Sequence, residues 1–183
     1  FITCARLRIY EDYLYKTNGR ARKMNKIYLI SPWCEAKYRL TPNSLNYIRF
    51  YLLDHGYDSE VIDCAHYDRD LNDVISILKE DKAPIVGITS YTRERFHAYS
   101  LIKRIKNEFI DSLVVVGGRH FGSLADETLV ELPQVNIVVR GEGEITFKEI
   151  CDSVKNNKGF EDVLGISYKN GNDIVHNSDR PLE

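Results

Sequence analysis

The sequence predicts an α/β protein: a doubly wound, five-stranded parallel sheet with helices on both faces and a C-terminal β-hairpin. Three observations carry this. From residue 26 onward, apolar runs of strand length alternate with stretches of helical period, and few residues separate them. The runs are nearly unbroken in aliphatic and β-branched residues, as strands buried on both faces must be. Amphipathic helices between parallel strands imply right-handed crossovers, which cover both sides of the sheet.

The elements follow in order. KIYLISP (26–32) is an apolar run stopped by proline, and SLNYIRFYLLDHG (44–56) sets Leu45, Ile48 and Leu52 on one helical face before Gly56 ends it. DSEVIDC (58–64) reads as the second strand, and in DLNDVISILKED (70–81) Leu71, Val74, Ile75 and Leu78 follow helical spacing. PIVGITS (84–90) is the third strand, and residues 94–109 carry Ala98, Leu101, Ile102, Ile105 and Phe109 along one stripe. SLVVVGG (112–118) is the fourth strand, with a short helix around Leu124–Leu132. VNIVVRGEGE (135–144) is the fifth, and Phe147, Ile150, Cys151 and Val154 mark the helix after it. VLGISYKNGNDIVHN (163–177) is two short strands about Asn170-Gly171, a hairpin signal.

Residues 1–23 mix tyrosines with basic residues and precede Met24, the single methionine. They read either as a leader or upstream extension before a start at Met24, or as an extra helix or strand docked on the domain. The expected layout is a segment 1–23, a Rossmann-like domain 24–158, and a hairpin and linker 159–183 leading toward a further catalytic domain.

Composition narrows the function. At 183 residues and 43% hydrophobic the chain can bury a full core. A net charge of −2, with Lys and Arg scattered along helices, gives no footprint for nucleic acid. No run approaches the ~18 apolar residues of a membrane span, and no secretory signal is visible, so a cytoplasmic protein with neither nucleic-acid nor membrane partner is expected. Cys4, Cys34, Cys64 and Cys151 lie far apart without CxxC spacing, which supports neither a zinc nor an iron–sulfur site, and Cys64 and Cys151, in apolar patterns, read as reduced core residues.

In a doubly wound sheet, ligands bind beyond the carboxyl ends of the strands. Gly117-Gly118 ends the fourth strand and removes two side chains where something must approach the backbone. Gly141-Glu142-Gly143 follows the fifth strand and opens a helix, with Glu144 in its first turn, where a carboxylate complements the helix dipole. Ser90, Tyr91 and Thr92 set three hydroxyls after the third. Alone, each reads as a turn or a cap; together, on adjacent strand ends, they outline a pocket. GxxxxGK[ST] is absent and no GxGxxG opens the first helix, so a nucleotide site lacks its usual support.

VVVGGRHFGSLADETL, VNIVVRGEGEITFKEI and VLGISYKNGNDIVHNSDRPL together resemble the N-terminal cobalamin-binding domain of cobalamin-dependent radical S-adenosylmethionine enzymes, over roughly residues 26–183. The resemblance implies a flavodoxin-like fold with the corrin across the strand ends and the dimethylbenzimidazole tail entering beside the sheet. It puts Ser90, Tyr91 and Thr92 on the tail pocket, Gly117, Gly118, His120 and Phe121 close to the tail or ring edge, and Gly141, Glu142 and Gly143 on the opposite wall. Ser31, Trp33 and Tyr38 fall at the corrin side.

Two departures qualify what it implies. Related domains often carry DxHxxG after the first strand, with the histidine on cobalt; here SPWCEAKYRLTP has neither histidine nor glycine, so cobalamin is expected without a histidine lower ligand. The cysteine triplet that holds a four-iron four-sulfur cluster and cleaves S-adenosylmethionine is also missing. Cobalamin is therefore the expected cofactor of this chain, with S-adenosylmethionine, the cluster and the methyltransferase-like chemistry left to a C-terminal radical domain.

Two other classes stay open on the residues. One is a flavodoxin-like sensory or interaction module without corrin, although a phosphoacceptor's acidic cluster is replaced by Ser31 and Ser90. The other is a self-contained α/β enzyme, for which no nucleophile and base share matched loops.

Overall fold

The structure, a computed structural model, describes residues 26–35 and 41–181. Strands β1 (Ile27–Ser31), β2 (Ser59–Asp63), β3 (Ile85–Thr89), β4 (Leu113–Gly117) and β5 (Ile137–Val139) are parallel. The hairpin strands β6 (Ile166–Asn170) and β7 (Asp173–His176) join them antiparallel, and the sheet runs β2-β1-β3-β4-β5-β6-β7. The described residues therefore form a seven-stranded mixed sheet, not a five-stranded parallel sheet followed by a hairpin. The reason lies in β5. Its Ile137, Val138 and Val139 would otherwise form an edge, and they pair instead with Tyr168, Ser167 and Ile166, of which Tyr168 and Ile166 bring apolar side chains.

Strand order reverses at β1, whose two neighbours are β2 and β3. Helices α1 (Asn43–Asp54) and α6 (Glu144–Lys155) share one face with Ile27, Leu29, Ile85, Val115 and Ile137. Helices α2 (Leu71–Asp81), α3 (Arg95–Glu108), α4 (Gly118–Ser123) and α5 (Ala125–Glu131) cover the other, against Tyr28, Ile30, Val86, Ile88, Val114 and Val116. Successive strand residues thus point into different layers, and both faces are buried, which is why the strands read as continuous apolar runs.

Local signals set the ends of several elements. Asp70 caps α2, accepting from the backbone N–H of Asn72 at 2.7 Å and of Asp73 at 2.9 Å, while Asp73 accepts from the N–H of Asp70 at 2.9 Å. The stretch after Gly117, expected as a loop, begins a helix at Gly118, and the strand expected over 135–144 is only three residues long. The hairpin is tied to α5 through Ser167, His176 and Asp126: Ser167 Oγ lies 2.8 Å from His176 Nδ1, and His176 Nε2 lies 3.0 Å from Asp126. Residues 1–23, Met24 and Tyr38 lie outside the described residues. Among the described residues no helix is long and apolar enough to cross a membrane.

Candidate functional site

A cleft opens at the carboxyl ends of β1, β3, β4 and β5, on the face that carries α1 and α6. Its volume is about 110 Å³, and Ser44, Leu45 and Ile48 of α1 form one side. Gly141, Glu142, Gly143, Glu144 and Phe147 form the other, and Leu29, Gly87, Thr89, Val115, Gly117, Gly118 and Val139 make the floor and back.

Sheet alternation builds the floor. Gly87 and Thr89 of β3 and Val115 and Gly117 of β4 point toward α1 and α6, and Gly117 stands opposite Thr89 in the ladder. A glycine in mid-strand weakens the strand unless another group needs its space. At Gly87 that group is Phe147: a Cβ there would lie 2.8 Å from Phe147 Cε2 and 2.8 Å from Leu29 Cδ2.

The two glycines where β4 ends and α4 begins do different work. Gly117 is extended (φ −162°), a conformation open to any residue, and a Cβ on it would meet only Val139, at 3.6 Å. Its missing side chain leaves free space in the cleft. Gly118 has φ +83°, and a Cβ there would run into Thr89 Oγ1 and lie 3.3 Å from the carbonyl oxygen of Ser90. Gly118 is therefore required by the backbone itself. Across the cleft, Gly141 also adopts a positive φ, +77°, and a Cβ at Gly143 would press on Ile48 Cδ1 at 2.8 Å.

The side walls are held together below the cleft. Tyr57, just beyond α1, donates its hydroxyl to Asp152 of α6, and Lys148 pairs with the same carboxylate at 2.6 Å. Burial pushes the Asp152 carboxyl up, but the hydrogen bonds from Lys148 and Tyr57 outweigh it and hold the group below the usual range.

Of the residues singled out from sequence, the cleft brings together Gly117, Gly118, Gly141, Glu142 and Gly143. Glu144 lines it as well, and the other described candidates stand elsewhere. Ser90 is buried at the end of β3, its hydroxyl donating to the Tyr91 carbonyl, while Tyr91 and Thr92 begin the turn into α3 and are exposed. His120 and Phe121 sit in the opposite layer, because α4 turns them toward α3. Phe121 is fully buried, and His120 Nε2 lies 3.1 Å from the Tyr99 hydroxyl.

His120 Nδ1 is buried with no hydrogen-bond partner, and burial, with nearby Arg95, holds the imidazole below its ordinary pKa. Ser31 ends β1. Trp33 packs edge-on against His97 at 5.0 Å between ring centres, beside a second cavity formed with Pro32, Cys64 and the start of α2. Cys64 and Cys151 are free buried thiols; burial raises Cys64 to about 12 and lifts Cys151 well above the thiol range.

Sequence reading missed Ser44, Ile48, Gly87 and Thr89. The one available signal was Gly87 itself, a glycine inside the β-branched run PIVGITS.

The family described as the B12 binding domain matches residues 34–151. An uncharacterized methyltransferase of Pyrococcus horikoshii is 33% identical over 166 residues, which span 87% of this chain and 36% of that protein. The anaerobic magnesium-protoporphyrin IX monomethyl ester cyclase of Rubrivivax gelatinosus is 27% identical over 148 residues, 78% of this chain and 27% of that one. The chain thus spans little more than a third of these curated relatives at most.

Among solved structures, the radical S-adenosylmethionine methyltransferase TsrM of Kitasatospora setae, with cobalamin and an iron–sulfur cluster bound, matches 86% of this chain and 29% of its own at a TM-score of 0.75 and 20% identity. The cobalamin-dependent radical enzyme OxsB with aqua-cobalamin bound matches 87% of this chain and 23% of its own at 0.77 and 19% identity. The REC domain of RcsB from Salmonella enterica matches 74% of this chain and 91% of its own at 0.51 and 16%. These likenesses establish a flavodoxin-like α/β fold. Among the described residues no group of three or more His, Cys, Asp or Glu could hold a metal ion.

Proposed function

The chain belongs to the B12-binding domain family, and we propose that it holds cobalamin by taking the nucleotide tail into the cleft between α1 and α6. The observation that carries this reading is a cradle made of absent side chains: Gly117 opens the back of the cleft, while Gly141 and Gly143 bring the opposite wall close through backbone alone. Such a surface suits a bulky, largely apolar ligand pressed against main chain, and the residues present fit the group.

In this reading Leu29, Leu45, Ile48, Val115 and Phe147 exclude water from the tail, Thr89 and Ser44 offer it hydroxyls, and Glu142 stands at the exposed rim. Ser31, Trp33 and Tyr38 belong to the corrin side. Ser90, Tyr91 and Thr92 shape the end of β3, and His120 and Phe121 support Gly118 from the opposite layer. No histidine occurs between Ser31 and Thr41, so the protein leaves cobalt without an imidazole from that loop.

Bound cobalamin supplies a cobalt centre able to carry a methyl group. The chain's own part is to bind and orient that cofactor for a separate radical S-adenosylmethionine domain, where S-adenosylmethionine and a four-iron four-sulfur cluster would act. Methyl transfer, or a related cyclisation, is the reaction class favoured by the names of its relatives. The working layout is a cobalamin domain over 24–158 and a hairpin and linker over 159–183, in a cytoplasmic protein.

The test is retention of corrin absorbance through gel filtration after incubation with aquocobalamin. Retention near one equivalent supports the reading; none, in this chain and in the longer protein alike, removes it.

A further inference from the structure

The cleft wall at Gly141–Glu144 has two glycines in its first three residues and little stiffness of its own. Its position is therefore set from its ends, and both ends are bonded to the same stretch of chain beyond the hairpin. At the near end, the Arg140 N–H donates to the Gly165 carbonyl at 2.7 Å, and the Gly165 N–H donates to the Ser178 carbonyl at 2.8 Å. The Arg140 guanidinium also donates to the carbonyls of Asn177 and Ile166 and pairs with Asp179 at 3.1 Å.

At the far end, Arg180 Nε donates to Thr146 Oγ1 at 2.8 Å, and its guanidinium pairs with Glu149, both in α6. Thr146 is fully buried, and its hydroxyl donates a hydrogen bond to the Leu164 carbonyl at 3.2 Å. Only glycine fits at 165, with φ +73° and the Arg140 carbonyl oxygen 3.1 Å from where a Cβ would stand.

The geometry points to Arg140 and Arg180 as positioning residues for the cofactor cleft. The two guanidiniums clamp the segment Asn177–Arg180 across the back of the glycine wall and fix its distance from Gly117 on the far side. This rests on the reading of the cleft as the tail site and deepens it, since neither arginine lines the cavity. It follows that loosening the clamp weakens recognition of the nucleotide tail while leaving the corrin contacts in place. By linkage, cofactor binding in turn tightens the clamp.

The experiment compares aquocobalamin with cobinamide, the corrinoid that lacks the nucleotide tail, by titration of the full chain and of Arg140→Lys, Arg180→Gln and Arg180→Lys. Each variant is measured at a temperature where circular dichroism shows it folded. Losing a charge-assisted hydrogen bond at the clamp is expected to raise the Kd for cobalamin about tenfold. The Kd for cobinamide should stay within about twofold, and Arg180→Lys should recover part of the loss.

Equal losses for both corrinoids, or unchanged cobalamin affinity in Arg140→Lys and Arg180→Gln, would overturn the positioning role with the cleft reading intact. Binding of cobinamide and cobalamin with equal affinity by the unmodified chain would overturn the cleft reading and the clamp's role together, as would binding of neither by this chain and by the longer protein alike.

Discussion

The ring of Phe147 occupies the volume that a side chain at Gly87 would need. A Cβ on Gly87 would lie 2.8 Å from Phe147 Cε2, so one residue in the middle of β3 and one in the second turn of α6 are matched in size. The glycine's worth here is space: its φ is not in the left-handed region.

Gly87→Ala is accordingly expected to destabilise the chain by ~1–3 kcal/mol through overpacking. Phe147→Leu in the same chain should recover part of that loss. Thermal unfolding of the two single variants and the double variant measures the coupling; strict additivity would contradict the match.

Gly117 and Gly118 look equivalent in the sequence, and the structure separates them. Gly118→Ala must place a side chain at φ +83° against Thr89 and is expected to cost ~1–3 kcal/mol of stability with or without cofactor. Denaturant titration reads that cost, and an unchanged midpoint would be the contrary result. A bulky substitution at 118 would therefore report on folding before it reported on binding.

A different kind of prediction concerns pH. Burial holds His120 neutral below its ordinary pKa, so the unfolded chain binds this proton more readily than the folded one. The group's contribution is fully present above the unfolded value near 6.5 and is lost as pH falls through the folded one, at ~1.4 kcal/mol per unit of separation. Unfolding midpoints should drop between pH 7.5 and 5.5, and His120→Gln should flatten that drop. Parallel profiles for the two proteins would rule the effect out.

Thiol labelling gives a further check. Cys64, raised to about 12, and Cys151, raised well above the ordinary thiol value by burial, hold their thiols protonated inside the two cores. Neither should react with iodoacetamide at neutral pH until the chain is unfolded. Mass mapping of native protein would contradict this if either cysteine carried the label.

How far the sequence reaches is plain from particular elements. The strands 27–31, 85–89 and 113–117 announce themselves because both sheet faces are covered and their residues are almost all apolar or glycine, while 59–63, at the sheet edge, shows only Val61 and Ile62 among polar residues. The hairpin was visible from Asn170-Gly171, but its place beside β5 was not, because strand pairing is decided by register and edge closure rather than by any local signal.

The same division runs through the site. Gly117, Gly141 and Gly143 were legible as gaps at strand ends. Ser44 and Ile48 were not, since only the packing of α1 beside α6 brings them to the cleft. His120 follows the glycine pair in sequence, yet α4 carries it to the other side of the sheet, a turn hidden by glycines that read as a loop.

The central claim, that the space at Gly117 receives the cofactor, is tested most directly by titrating aquocobalamin into the chain and into Gly117→Val side by side. Gly117 is extended and a Cβ there meets only Val139, at 3.6 Å, so the variant should keep the parent's stability to within ~1 kcal/mol. The account predicts about one equivalent of cobalamin retained by the parent chain, with its corrin spectrum showing no imidazole from the protein on cobalt, and little or none retained by Gly117→Val. Equal retention by the two proteins would place the cofactor somewhere other than this cleft.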